Sequence, residues 1–230
     1  MKEIHEFDNH KIEALIVGFI RSKNIPLAKL RSCLDVGSGT RPVQGWFEKI
    51  AGEDSRYIAS ETDEEIIENL IKRGVDAVNP FTTERDLSSD LVIAKEVIEH
   101  LNERDVLDFL LFCKKNTKMI FALTAPNFEY WSNFRCKDQG MNFMPEHLAY
   151  LDPSSKDPHK HKFEVTPGVL ANYFGKVFED DVWSWKIYRA WPYMIQDQAR
   201  SLSWRVFYKI FAIAYKDEVF ASFVKGVSDA

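Results

Sequence analysis

The sequence predicts an α/β protein built on a doubly wound, mostly parallel sheet, and three observations carry that expectation. Apolar runs of strand length alternate with segments of helical periodicity along the first half of the chain. One run, Ser32 to Val36, feeds directly into Gly37-Ser38-Gly39-Thr40, a turn whose glycines let backbone N–H groups approach a ligand closely. The 230 residues suffice for one such domain with a full core and are few for two.

The elements follow in order. Ile12, Leu15, Ile16, Phe19 and Ile20 recur at helical spacing and predict an amphipathic N-terminal helix. After the strand Ser32 to Val36 come a first crossover helix over Trp46 to Ile50 and a second strand at Tyr57 to Ala59. Asp63 to Arg73 reads as a helix stopped by Gly74, followed by a third strand, Val75 to Val78, and a fourth, Asp90 to Ala94. The stripe Val106, Leu107, Leu110, Leu111 marks a helix over Asp105 to Lys115, and Met119 to Leu123 a fifth strand ending at a Pro126-Asn127 turn. Periodicity then fails from Phe128 to Lys162, which reads as a lid or binding insertion. Thr166-Pro167 starts a helix running through Phe174, with threonine as N-cap and proline in the first turn. Val182 to Tyr188 is expected as a strand, Ala199 to Tyr215 as an aromatic helix, and Glu218 to Lys225 as the last strand.

Composition narrows the function classes. A net charge of −5 gives no global attraction to nucleic acid phosphate. Cys33, Cys113 and Cys136 have no C-x-x-C spacing, and an odd count suits reduced thiols in a cytoplasmic protein. The stretch Ile12 to Ile20 lacks the basic flank of a signal peptide, and no run approaches the ~18 apolar residues that a membrane-spanning helix needs.

The glycine turn sets the ligand class. Pro42 stands where a dinucleotide fingerprint has its third glycine, which argues against a pyrophosphate-bearing cofactor. Glu61 lies 22 residues beyond Gly39, where an acidic side chain in open α/β folds accepts hydrogen bonds from both ribose hydroxyls; capping of the next helix, or plain solvated charge within Glu61 to Glu65, is the alternative. Asp35-Val36-Gly37-Ser38-Gly39-Thr40 resembles the first motif of class I S-adenosylmethionine-dependent methyltransferases. Lys95-Glu96-Val97-Ile98-Glu99-His100-Leu101 resembles the fourth-strand turn of a large group of that family.

The resemblance spans roughly Leu30 to Phe174 and implies a seven-stranded, Rossmann-like sheet with an antiparallel last strand inserted at its edge. It further implies S-adenosylmethionine as cofactor, with Asp35 near its amino group and Asn79 or Phe81 near its adenine. Gly37, Gly39, Glu61 and Lys95 complete the expected cofactor set. A sulfonium already carries an activated methyl group, so the protein has to align an acceptor and, for a hydroxyl, remove its proton. His100 is the leading base and His161 the second, since imidazole titrates near neutrality.

Thr124 to Tyr130 and His159 to Thr166 add a partial resemblance to the small-RNA 3′-end 2′-O-methyltransferases, which implies a divalent ion on Glu96, Glu99, His100 and His161. Those enzymes carry F-E-W-T-R where this chain has Phe163-Glu164-Val165-Thr166-Pro167. The favoured expectation is therefore a small-molecule or glycan acceptor with no obligatory metal, and metal-dependent ribose methylation of RNA is the alternative. A non-catalytic module that retains the fold is the rival from another class. The aromatic residues from Trp183 to Phe211 are expected as packing around the last strands, with a stacking wall or a membrane rest as the other uses.

Overall fold

The computed structural model describes residues 5–7, 12–23, 25–52, 54–128, 160–194 and 205–217. Among these residues eight strands form one sheet: β1 (His5–Phe7), β2 (Ser32–Val36), β3 (Arg56–Ser60), β4 (Ala77–Val78), β5 (Ser89–Lys95), β6 (Thr117–Pro126), β7 (Trp183–Met194) and β8 (Arg205–Lys216). Their order is β1-β7-β8-β6-β5-β2-β3-β4. Seven strands are expected; six of them are β2 to β7, β8 stands in place of the seventh, and the three-residue β1 adds an eighth by pairing parallel to β7. Only β8 runs antiparallel to its neighbours, β6 and β7.

The helices are α1 (Ile12–Ser22), α2 (Gln44–Ala51), α3 (Glu64–Lys72), α4 (Val106–Asn116) and α5 (Pro167–Phe178). Their ends follow the expected signals. Asp63 caps α3 by accepting from Glu65 and Ile66 N–H, so the capping role belongs to Asp63 and not to Glu61. Gly74, with φ 80°, ends it. Thr166 caps α5 through Val169 N–H at 3.1 Å, with Pro167 in its first turn.

Both faces of the sheet are covered, which is why its strands read as continuous apolar runs. Cys33, Tyr57, Leu91, Ile93, Ile120, Phe211 and Ile213 join the α1, α2 and α3 stripes in one buried cluster. Their chain neighbours Leu34, Ile58, Val92, Phe121, Ala212 and Ala214 join Leu110 of α4 and Phe174 and Phe178 of α5 in the other. The period of two along each strand assigns alternate residues to the two layers.

The C-terminal part departs from expectation. The helix expected over Ala199 to Tyr215 is the strand β8 from Arg205 onward, antiparallel and fully buried from Ile210 to Ala214. It lies between β6 and β7, with β7 and β1 outside it, and so does not occupy the sheet edge expected for the last strand. The strand expected at Glu218 to Lys225 falls outside the described residues, as do Cys136 and most of the 128–162 insertion. Aromatic packing around the last strands is observed where side chains are described: Tyr188 stacks on Phe211 at 5.7 Å, and Trp183 and Trp185 meet Phe178 and Phe174 edge-on. No helix among the described residues is long and apolar enough to cross a membrane.

Candidate functional site

The parallel strands β2, β3, β5 and β6 all end on one edge of the sheet, and the order reverses between β2 and β5. A crevice at such a switch point is where open α/β sheets hold ligands. Gly37 and Gly39, Glu61, Glu96 and Asn127 each follow one of these strand ends.

The turn leaving β2 is pinned along its length. Gly37 N–H donates to Ser60 carbonyl at 2.7 Å, and Gly39 N–H donates to Glu61 Oε2 at 3.1 Å. Thr40 carbonyl accepts from Arg73 Nη1 at 2.8 Å, and Arg41 carbonyl from Lys95 Nζ at 3.1 Å. Val43 N–H donates to both Asp35 Oδ2 at 3.1 Å and Tyr57 Oη at 3.2 Å, while Tyr57 itself donates to Asp35 Oδ2 at 2.6 Å. A loop held at this many points is preorganised, so a ligand would not have to order it.

The glycines are demanded for different reasons. Both have left-handed φ, 64° at Gly37 and 56° at Gly39. A Cβ on Gly37 would meet Val97 Cγ2 at 2.7 Å, whereas a Cβ on Gly39 would meet nothing within 4 Å. Gly37 therefore lets two loops of the site touch, and Gly39 opens onto free space.

Asp35 is fully buried on the α1–α3 face, and burial pushes its carboxyl above the usual carboxylate value despite the Tyr57 and Val43 hydrogen bonds and nearby Lys95. Burial, and after it the Asp35 charge, push the Tyr57 phenol up in turn. Glu61 accepts from Thr62 N–H as well as from Gly39, which leaves further lone pairs on its two oxygens. Asn79 donates to Glu64 Oε1 at 2.8 Å and accepts from Phe81 N–H at 3.0 Å, and Phe81 beside it is 81% exposed. Lys95 is engaged with the turn's backbone at Arg41.

The second half of the site grows from the end of β5. Glu96 has φ 56°, an uncommon left-handed conformation for a residue with a side chain, and its N–H donates to Thr124 carbonyl on β6 at 3.0 Å. A single 3₁₀ turn, Ile98–His100, follows. Residues 160–163 lie across it as a strap: Lys162 and Phe163 N–H both donate to Glu99 carbonyl, at 2.7 and 3.2 Å. His100 Nδ1 lies 3.3 Å from Lys160 carbonyl.

This zipper joins residues 60 positions apart into one cluster. The His100 and His161 rings stand 5.0 Å apart, with Phe128 edge-on to His161 at 5.8 Å. Glu99 is 1% exposed and its Oε1 lies 4.0 Å from His100 Nε2. One atom each from Glu99, His100 and His161 falls within 4.8 Å of the others, a grouping that does not include Glu96.

The structure thus brings together Gly37, Gly39 and Glu61 on one loop system and Glu99, His100 and His161 on another. Tyr57, Arg73 and Val97 are participants that the sequence reading omitted. Arg73, the residue after α3, carried a signal only as a cation at a helix end.

No family model matches this sequence, and no curated protein matches it either. Solved structures do resemble it. A SAM-dependent methyltransferase from Archaeoglobus fulgidus is 17% identical with a TM-score of 0.52, over 89% of this chain and 94% of that one. The plantazolicin methyltransferase BpumL, solved with a triazolic desmethylPZN analog and SAH, is 10% identical with a TM-score of 0.60, over 89% and 83%. The Pnkp1/Rnl/Hen1 RNA repair complex is 16% identical with a TM-score of 0.56; the match covers 91% of this chain and 42% of that one. The likeness is one of fold, and the chain has the Rossmann-like architecture of S-adenosylmethionine-dependent methyltransferases.

Proposed function

We propose that this protein is a class I S-adenosylmethionine-dependent methyltransferase that methylates a hydroxyl oxygen of a small molecule or glycan. The domain is residues 1–230, with segment 128–162 on the acceptor side. The supporting observation is the pinned glycine turn, facing Glu61, on the same sheet edge as the Glu99–His100–His161 cluster.

The chain's residues fit that cofactor. Asp35 Oδ1 is buried without a hydrogen-bond partner among the described residues, an acceptor suited to an amino group. The space over Gly39 leaves room for a ligand's body, and Glu61 retains acceptor capacity for two ribose hydroxyls. When bound, the cofactor supplies a methyl group already activated by a positively charged sulfur.

The remaining work falls to the two histidines. A carbonyl oxygen can only accept, so the Lys160 contact puts the His100 proton on Nδ1 and the lone pair on Nε2. Nε2 can then take the acceptor's hydroxyl proton as the oxygen lone pair forms its new bond to carbon. The buried Glu99 carboxylate, 4.0 Å away, stabilises the imidazolium that results. His161 is the second base, set against His100 by the strap.

The same cluster supports a second reading. Carboxylate and imidazole donors suit Mg²⁺, Mn²⁺ or Fe²⁺, and Glu99, His100 and His161 would hold such an ion, with Glu96 as the expected fourth ligand. An ion there would lower the pKa of a bound hydroxyl, as ribose 2′-O-methylation of RNA would use. The fold likeness to the RNA repair complex supports this reading as well.

Incubation of the protein and cell extract with methyl-labelled cofactor, with and without a chelator, separates the two. The favoured reading predicts label in small-molecule or glycan fractions that survives chelation. Label in RNA, lost on chelation and restored by Mn²⁺, would establish the second reading; no protein-dependent label in any fraction would refute both.

A further inference from the structure

Beside the site already described lies a cleft of about 1110 Å³ between the start of α4, the strap and α5. Its walls leave the cluster directly. Arg104 follows His100 by four residues, and Lys162 and Phe163 are the residues that donate to Glu99 carbonyl. Neither histidine lines the cleft, but the strap segment that carries His161 also forms its wall through Lys162 and Phe163.

Three cations from three different elements line it: Arg104, Lys162 and Lys176. Lys162 and Lys176 form no ion pair among the described residues, and Arg104 has only an exposed pair with its neighbour Asp105 at 3.5 Å. Lys176 is held in place, its ammonium 5.6 Å from the centroid of Tyr173, which Phe163 braces edge-on at 5.8 Å. Two lysines without carboxylate partners, joined by an arginine whose own ion pair is exposed, suit an oxyanion with several acceptor oxygens.

The rest of the lining describes the body attached to that anion. Leu107 and Val169 offer apolar surface, while Glu103 and Glu164 offer acceptors for hydroxyl groups. Three cations against two carboxylates leave one net positive charge, which fits one phosphate group better than a run of them. We propose that this cleft binds the acceptor and that the acceptor is a phosphorylated sugar, its phosphate held by Arg104, Lys162 and Lys176. The proposal rests on the hydroxyl-methylation reading and names the class of molecule that carries the hydroxyl.

The test is isothermal titration of the full chain saturated with S-adenosylhomocysteine. The probes are glucose 6-phosphate, ribose 5-phosphate, their parent sugars, inorganic phosphate and a short single-stranded RNA. At least one sugar phosphate is expected to bind about tenfold tighter than its parent sugar or inorganic phosphate. Arg104→Ala/Lys176→Ala should weaken that binding about tenfold and leave S-adenosylhomocysteine affinity unchanged. No binding of either sugar phosphate, equal affinity for the parent sugars, or no effect of the double substitution overturns the assignment. RNA binding tighter than both sugar phosphates and lost in the double variant overturns the choice of occupant. If S-adenosylhomocysteine fails to bind while a sugar phosphate still does, the methyl-transfer reading falls and the cleft assignment stands.

Discussion

Replacing Gly37 by alanine should do far more damage than replacing Gly39, although both glycines sit in the same turn. Both have left-handed φ, and an alanine in that conformation costs roughly 1–2 kcal/mol. For Gly39 that is the whole cost, since its new Cβ meets nothing within 4 Å. For Gly37 the Cβ would stand 2.7 Å from Val97 Cγ2 and 3.2 Å from Cγ1. Val97 is β-branched and has little rotamer freedom to retreat, so overpacking adds about 1–3 kcal/mol. The expected destabilisation is about 2–5 kcal/mol for Gly37→Ala against about 1–2 for Gly39→Ala. Denaturant unfolding of both variants measures this difference. Because Val97 immediately precedes the Ile98–His100 turn, Gly37→Ala should also lower turnover at saturating cofactor. Adding Val97→Ala should return part of the lost stability. Equal destabilisation by the two alanines, with no recovery from Val97→Ala, would show that the contact between the loops is irrelevant and refute the reasoning.

Three further outcomes are expected. Burial holds the Asp35 carboxyl above its ordinary value, so between that value and the raised one the folded chain keeps a proton that the unfolded chain has lost. The stability that Asp35 contributes should accordingly fall as pH rises through this window; Asp35→Asn, which keeps an acceptor for Tyr57 and Val43, should gain on the native protein as pH rises. Thermal midpoints from about pH 4 to about pH 8 test this, and a difference that does not vary with pH contradicts it. Tyr57→Phe leaves Asp35 with one donor fewer in a dry site and should cost about 1–3 kcal/mol in unfolding free energy; a change within experimental error would deny the dyad its part in holding the turn. The more damaging of His100→Ala and His161→Ala should lower turnover about 10²–10⁴-fold without loss of cofactor affinity, and near-native turnover in both would remove the base role.

The glycine turn and Glu61 were legible because their chemistry is local: strand, bare backbone, and an acid one βαβ unit later. The layer structure was legible for the same reason, since α3 and α5 carry their own stop and start signals in Gly74 and Thr166-Pro167. The last hairpin was not. Trp204, Phe207, Tyr208 and Phe211 repeat at helical spacing, and the Ile210–Ala214 run is buried on both faces, so it shows no alternation that would mark a strand. Tertiary pairing with β6 and β7 decided it. Glu99, His100 and His161 could be named as candidates, but the strap that joins them consists of backbone bonds to Glu99 carbonyl, which no side-chain pattern reports. Tyr57 read as an apolar strand residue, and only parallel pairing of β2 with β3 brings its hydroxyl to Asp35.

The central claim is that the turn from Gly37 to Val43 and Glu61 together bind S-adenosylmethionine. Isothermal titration of S-adenosylhomocysteine into the native protein and into Glu61→Ala tests it most directly, with unfolding curves as the control for folding. Saturable one-to-one binding to the native protein is expected, weakened by about 1–3 kcal/mol in Glu61→Ala as charge-assisted hydrogen bonds to the ribose are lost. No binding to the folded native protein, or the same affinity in the folded Glu61→Ala variant, would contradict it.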